Sequence, residues 1–145
     1  MPLPVPEAGL VICYEFLWSN EAASGETGSA KRRPAVIVIA AKNQSGRTVT
    51  VVVPITHSPP RDPAFAIEIP LRVKQHLGLD DQRSWVVLDE LNEFIWPGLD
   101  IYPIPGKRPG QFAYGFIPPA LFKQIKDKIL AMDTARKKIT TRTER

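Results

Sequence analysis

The chain has 145 residues, enough for one domain with a core of its own. Hydrophobic residues make up 43% and charged residues 23%, an ordinary globular composition, and no stretch approaches the roughly 20 apolar residues of a membrane span. The net charge of +4 equals the surplus of Arg136, Lys137, Lys138, Arg142 and Arg145 over Glu144, so residues 1–135 are neutral overall and charge alone does not imply a nucleic-acid groove.

In chain order, Leu10–Phe16 reads as a mostly buried strand. Its Cys13 is the one cysteine, which excludes an internal disulfide; within an apolar run it reads as a small buried hydrophobe. A lone thiol, together with an N-terminus lacking the basic start and apolar run of a signal peptide, predicts a cytoplasmic protein. Residues 19–33 are polar and small and predict a long loop. Pro34–Ala41 is apolar at every position, so both faces of this strand should be covered. Asn43–Gly46 supplies a turn, and Thr48–Pro54 is a β-branched strand that completes a hairpin.

Ser58–Asp62 contains Pro59-Pro60 and should be irregular, with a short strand at Phe65–Ile69. Leu71–Leu77 has helical spacing and ends at Gly78, a natural C-cap. Ser84–Leu91 reads as one strand, Ile101–Ile104 as a short one and Gln111–Phe116 as extended. Pro118-Pro119 opens a helix whose stripe is Leu121, Phe122, Ile125, Ile129, Leu130 and Met132. Short strands, turn signals and one terminal helix predict a mainly β fold, a small, strongly bent β-barrel. One domain is expected over residues 1–135, followed by a basic, disordered tail at residues 136–145.

The register of the hairpin bears on chemistry. If Ala41 and Thr48 flank the turn as a pair, Arg33 lies opposite Thr56 at the open end, with the two side chains on one face. A guanidinium offers a planar fork of donors to a phosphate, and a hydroxyl adds one more. Such a pair could stabilise charge on a phosphodiester. In RNA the adjacent 2′-OH is the built-in nucleophile, so cleavage would need no metal or other cofactor. A plainer alternative stays open: Arg33 as a solvated loop residue, and Thr56 bonded to its own backbone at a strand end.

Arg33-Pro34-Ala35-Val36-Ile37-Val38, then Val52-Val53-Pro54-Ile55-Thr56, resembles the PemK/MazF toxin pattern, in which Arg-Pro opens an apolar strand and a Pro-Ile-Thr-like segment closes the next. Ser84–Leu91 resembles the family's third conserved strand. The resemblance implies an SH3-like barrel that acts as a homodimer. It further implies a metal-independent endoribonuclease that cuts single-stranded RNA and is restrained by an antitoxin protein. It places the catalytic arginine at Arg33 and the catalytic threonine at Thr56. Leu10 and Asn92 depart from the pattern, which usually has Asp and often a basic residue there. A non-catalytic RNA- or partner-binding module on the same barrel is the alternative.

Other residues complete the candidate site. Lys31, Arg32, Arg47 and Arg61 could contact phosphates. Trp18 and Trp96 border loops and could stack bases, whereas Trp85 lies in an apolar strand and reads as core. His57 follows Thr56 and could serve as a general acid or base, although a continuing strand would turn it to the opposite face. By the same alternation only one of Asp89 and Glu90 should reach the site. Asp80-Asp81 reads as a turn. His57, His76 and Cys13 have no metal-ligand spacing.

Overall fold

The computed structural model describes residues 3–25 and 31–142. Strand β1 (Leu10–Glu15) is followed by a short helix α1 (Ser19–Ala23) and by the long hairpin β2 (Arg32–Lys42) and β3 (Thr48–Thr56). A 3₁₀ turn at Pro63–Phe65 leads into β4 (Ala66–Glu68), and α2 (Leu71–Leu77) precedes β5 (Trp85–Val87) and β6 (Glu90–Ile95). Then come β7 (Ala113–Phe116), α3 (Pro119–Ala131) and β8 (Lys138–Thr141). The strands form one curled, mainly antiparallel sheet in the order β4-β5-β3-β2-β1-β7, a half-barrel, with β6 paired to β3 and β8 joined to β6 in parallel. Among the described residues no helix is long and apolar enough to cross a membrane.

Both faces of the sheet are covered, as the apolar run of β2 requires. Val11, Val36, Val51, Val53 and Val86 pack with Leu77, Leu121 and Ile125 on the helical side. The alternating residues Ile12, Ala35, Ile37 and Val52 pack with Tyr14, Phe16 and Phe94 on the other. Gly78 ends α2 with φ +70°, the left-handed conformation that glycine adopts without a Cβ penalty.

The hairpin register differs from expectation at the turn and returns to it at the open end. Lys42, not Ala41, pairs with Thr48, because Asn43 Oδ1 accepts from the Ser45 and Arg47 amides and sets a turn one residue shorter. An irregularity between Ile37 and Ile39 absorbs the extra residue at Val38. Beyond it Ile37 faces Val52 and Ala35 faces Pro54, the register that, continued, sets Arg33 across from Thr56.

Five other expectations are corrected. The predicted loop carries α1 at its start, while residues 26–30 lie outside the described residues. Ser84–Leu91 is not one strand: β5 and β6 are separated at Leu88 and Asp89, where buried Leu88 donates its amide to Phe65 O at 2.8 Å. Both halves then pair with β3, β5 at Ile55–Thr56 and β6 at Val49–Val52, which bends the sheet. Ile101–Ile104 makes only a single bridge, to Tyr14. The tail at residues 136–145 is not disordered over its described part: β8 pairs with β6 in parallel, and Arg142 is buried. Its guanidinium donates to Glu15 O at 2.7 Å and to Asp100 Oδ1 at 3.0 Å, contacts that offset its burial. In α3, Leu121 and Ile125 are buried as expected, but Leu130 is 68% exposed and outside the core.

Candidate active site

Two clefts meet at the open end of the hairpin. Arg33, at the start of β2, and Thr56, at the end of β3, line both of them. The first cleft, about 460 Å³, adds Lys31, Arg32, His57, Asp80, Lys107 and Tyr114. The second, about 510 Å³, adds Trp18, Arg61, Asp89, Glu90, Arg136 and Lys138. Of the candidates read from the sequence, Arg33, Thr56, Lys31, Arg32, His57, Trp18 and Arg61 thus border one or both clefts. Arg47 instead borders a separate hollow beside Phe94 and Asp100, and Trp96 packs on the core through Phe94.

Arg33 is half-buried, and its Nε is buried without a hydrogen-bond partner. Its guanidinium lies 5.3 Å from the centroid of the Trp18 ring. Burial pulls its pKa below the ordinary arginine value, with Glu21 pulling the other way. A charge this poorly compensated favours an anion beside it. Thr56 is buried, and its Oγ1 accepts from the Ser58 amide at 3.2 Å. That bond is the strand-end contact anticipated as the plainer alternative; it uses a lone pair and leaves the hydroxyl proton to donate.

His57 follows the last residue of β3, so strand alternation no longer governs it, and it shares the first cleft with Thr56. Its Nδ1 lies 3.0 Å from Arg83 O and its Nε2 lies 2.9 Å from Asp80 Oδ2. Both partners are acceptors, so both bonds form together only when the ring carries two protons. Ser84 Oγ, which donates to Gln82 O, also lies 3.0 Å from Nδ1. Asp80 is the hub: its Oδ1 accepts from Lys74 Nζ and from the Gln82 amide, each at 3.1 Å. Burial raises the Asp80 pKa, but these bonds and the charges of His57 and Lys74 outweigh it and hold the carboxyl below its usual range.

The sequence reading missed Asp80, Lys74 and Ser84. The Asp80-Asp81 turn is real, yet the second carboxylate oxygen of Asp80 faces His57. A signal did exist: Lys74 falls on the buried stripe of α2 with Leu77 and is only 2% exposed, and a buried ammonium calls for a carboxylate. Tyr114 was also missed. Burial pushes its phenol well above the ordinary value, with Cys13 adding to the effect, so it faces the first cleft as a protonated hydroxyl. Cys13 is buried and its thiol is pushed up by that burial, which suits a core residue rather than a nucleophile.

The second cleft is shaped by β6. The break at Leu88 and Asp89 lets both Asp89 and Glu90 line it, contrary to strict alternation. Glu90 accepts from Ser19 N at 2.9 Å and Ser19 Oγ at 2.6 Å. Asn92 is fully buried and clamps Leu17 through both amide groups, Oδ1 from Leu17 N at 2.9 Å and Nδ2 to Leu17 O at 2.7 Å. Glu21 Oε1 accepts from the Trp18 amide at 3.0 Å. Asn92 therefore holds the segment that presents Trp18, which gives this departure from the expected pattern a structural reason.

A family model described as the PemK-like, MazF-like toxin of type II toxin-antitoxin systems matches residues 14–94. The chain belongs to this toxin family. The matched stretch runs from β1 into β6 and contains Arg33 and Thr56, while β7, α3 and β8 lie beyond it. No curated protein matches the sequence significantly. The half-barrel of the toxin agrees with the family's mainly β fold.

Proposed function

We propose that the toxin is a metal-independent endoribonuclease that cuts single-stranded RNA in the cytoplasm, with Arg33 and Thr56 as its catalytic residues. The observation that carries this reading is that both residues line both clefts, so one strand crossing from cleft to cleft would pass its phosphate between them. Arg33 donates to the non-bridging oxygens as charge grows there, and Thr56 gives one further hydrogen bond. The 2′-oxygen bonds to phosphorus, the bond from phosphorus to the 5′-oxygen breaks, and a cyclic phosphate remains. The 2′-OH proton leaves to solvent, and solvent supplies one to the 5′-oxygen. Lys31, Arg32 and Lys107 favour the backbone in the first cleft; Trp18, with Arg61 beside it, offers a base a stacking face in the second. As a type II toxin it works as a homodimer held in check by an antitoxin protein.

The test is incubation of the purified protein with a broad panel of single-stranded RNAs in excess EDTA. Cleavage to products ending in a cyclic phosphate is expected. Thr56→Val, which keeps the shape and removes the donor, should cut roughly 100-fold more slowly. Intact RNA across the panel overturns the proposal, and binding without turnover assigns the barrel to RNA capture.

A further inference from the structure

The C-terminal segment lies beyond the family match yet returns to the cleft. Met132 is buried after α3, and the chain then turns, with Arg136 N donating to Asp133 O at 2.9 Å. The Lys138 amide donates to Asp89 O at 2.9 Å and the Arg142 amide to Glu93 O at 2.8 Å, so β8 is tied to β6 at both ends. The buried Arg142 guanidinium fastens the strap to β1 through Glu15 O and to the 97–101 loop through Asp100. This anchorage brings Arg136 and Lys138 to the wall of the second cleft that also holds Arg33, Thr56 and Trp18.

Arg136 is oriented but not saturated. Its guanidinium lies 4.0 Å above the Phe65 ring. The carboxylates of Asp89 and Asp62 stand at 3.3 and 3.8 Å. Its Nε is buried and faces Asp89, so the donors left for a ligand are those of the outer nitrogens of the fork, with Nη2 3.8 Å from Asp62. Lys138 is exposed and stands beside Glu90 in the parallel register. Asp62, Asp89 and Glu90 make this cleft unfavourable for a run of phosphates, so a strand is admitted only where a cation faces it.

We propose that this strap carries a second phosphate-binding position, in which Arg136 and Lys138 hold another backbone phosphate of the RNA whose scissile phosphate lies at Arg33 and Thr56. The inference rests on the RNA reading above. RNA is favoured over an acidic peptide as the occupant because the same cleft offers a Trp18 ring to a base.

The probe is a fluorescein-labelled single-stranded RNA pool of random sequence, 2′-O-methylated to block cleavage, titrated by anisotropy at several salt concentrations. Each phosphate contact on a single strand contributes about 0.7 to the slope of log affinity against log salt, so Arg136→Gln with Lys138→Gln, which removes this one contact, should flatten it by about 0.7. Arg136→Lys keeps the charge and should retain the slope while binding more weakly. Should the double variant unfold, Lys138→Gln alone, at an exposed position, should weaken binding and flatten the slope by part of that ~0.7. An unchanged slope overturns the proposal and leaves Arg33 and Thr56 untouched. If these variants lose only the binding of acidic peptides, the strap belongs to a protein partner and the proposal fails. A wild type that binds no RNA removes both readings.

Discussion

Replacing Arg33 by methionine should separate activity from stability. In the free protein the guanidinium has little to lose: its Nε has no partner, and the Trp18 ring lies 5.3 Å away. Losing that ring contact costs about 0.5–1 kcal/mol, and removing a half-buried charge returns part of its desolvation penalty. Methionine also keeps much of the aliphatic stem's packing. The two effects oppose each other, so the melting temperature should stay within about 3 °C of wild type. The chemical step should behave differently. Removing a preorganised donor from a transition-state anion costs about 10²–10³ in rate. Single-turnover cleavage of labelled RNA, run beside differential scanning calorimetry on the same samples, reads both quantities. A fall in melting temperature of more than about 6 °C, near 2 kcal/mol for a chain of this size, would show that Arg33 is built into the fold. Wild-type cleavage would refute the catalytic assignment.

Two further outcomes follow from the site and its supports. Asp80→Asn should destabilise the protein at pH 7 by about 1–2 kcal/mol, because buried Lys74 loses its charged partner while the half-exposed carboxylate is partly screened by solvent. The Asp80 carboxyl is depressed in the folded state, so its contribution is complete above its unfolded value of about 3.9 and fades as pH falls through the lower folded value. The gap in melting temperature between wild type and variant should therefore close in acid, and a gap constant down to strongly acidic pH would contradict the assignment. Arg142→Ala removes two buried charge-assisted hydrogen bonds and should cost about 3 kcal/mol, or less if β8 detaches first. Hydrogen exchange should then show lost protection at Lys138–Thr141, and retained protection with an unchanged melting temperature would refute the anchoring role.

Much of the fold was legible where local pattern and tertiary demand agree. The continuous apolar run of β2 reported a strand covered on both faces, and Gly78 marked the end of α2. The proline pair at Pro118-Pro119 marked the start of α3. Within the site, Arg33 and Thr56 could be set across from each other by counting, although the turn was misjudged by one residue. The structure reaches the expected open-end register through the irregularity at Val38, so two departures cancel. A bulge leaves no mark in a β-branched run because every residue there suits a strand equally well.

The sequence by itself determined most of the strands and helices, though not α1 or β8, that the hairpin is two-faced, and that Arg33 and Thr56 stand at its open end. Those properties depend on periodicity, turn chemistry and residue type within a few positions. Only the tertiary structure decided that Ser84–Leu91 breaks, since the break follows from two partners sharing one edge of β3. It alone decided that Asp80 faces His57 rather than merely closing a turn. It also turned a basic tail into a cleft wall. Lys138–Thr141 has no apolar periodicity, and its Ile139 is 54% exposed, because β8 is held by backbone hydrogen bonds and the distant Arg142 lock. Contacts of that kind depend on what the rest of the chain places alongside, and no local pattern encodes them.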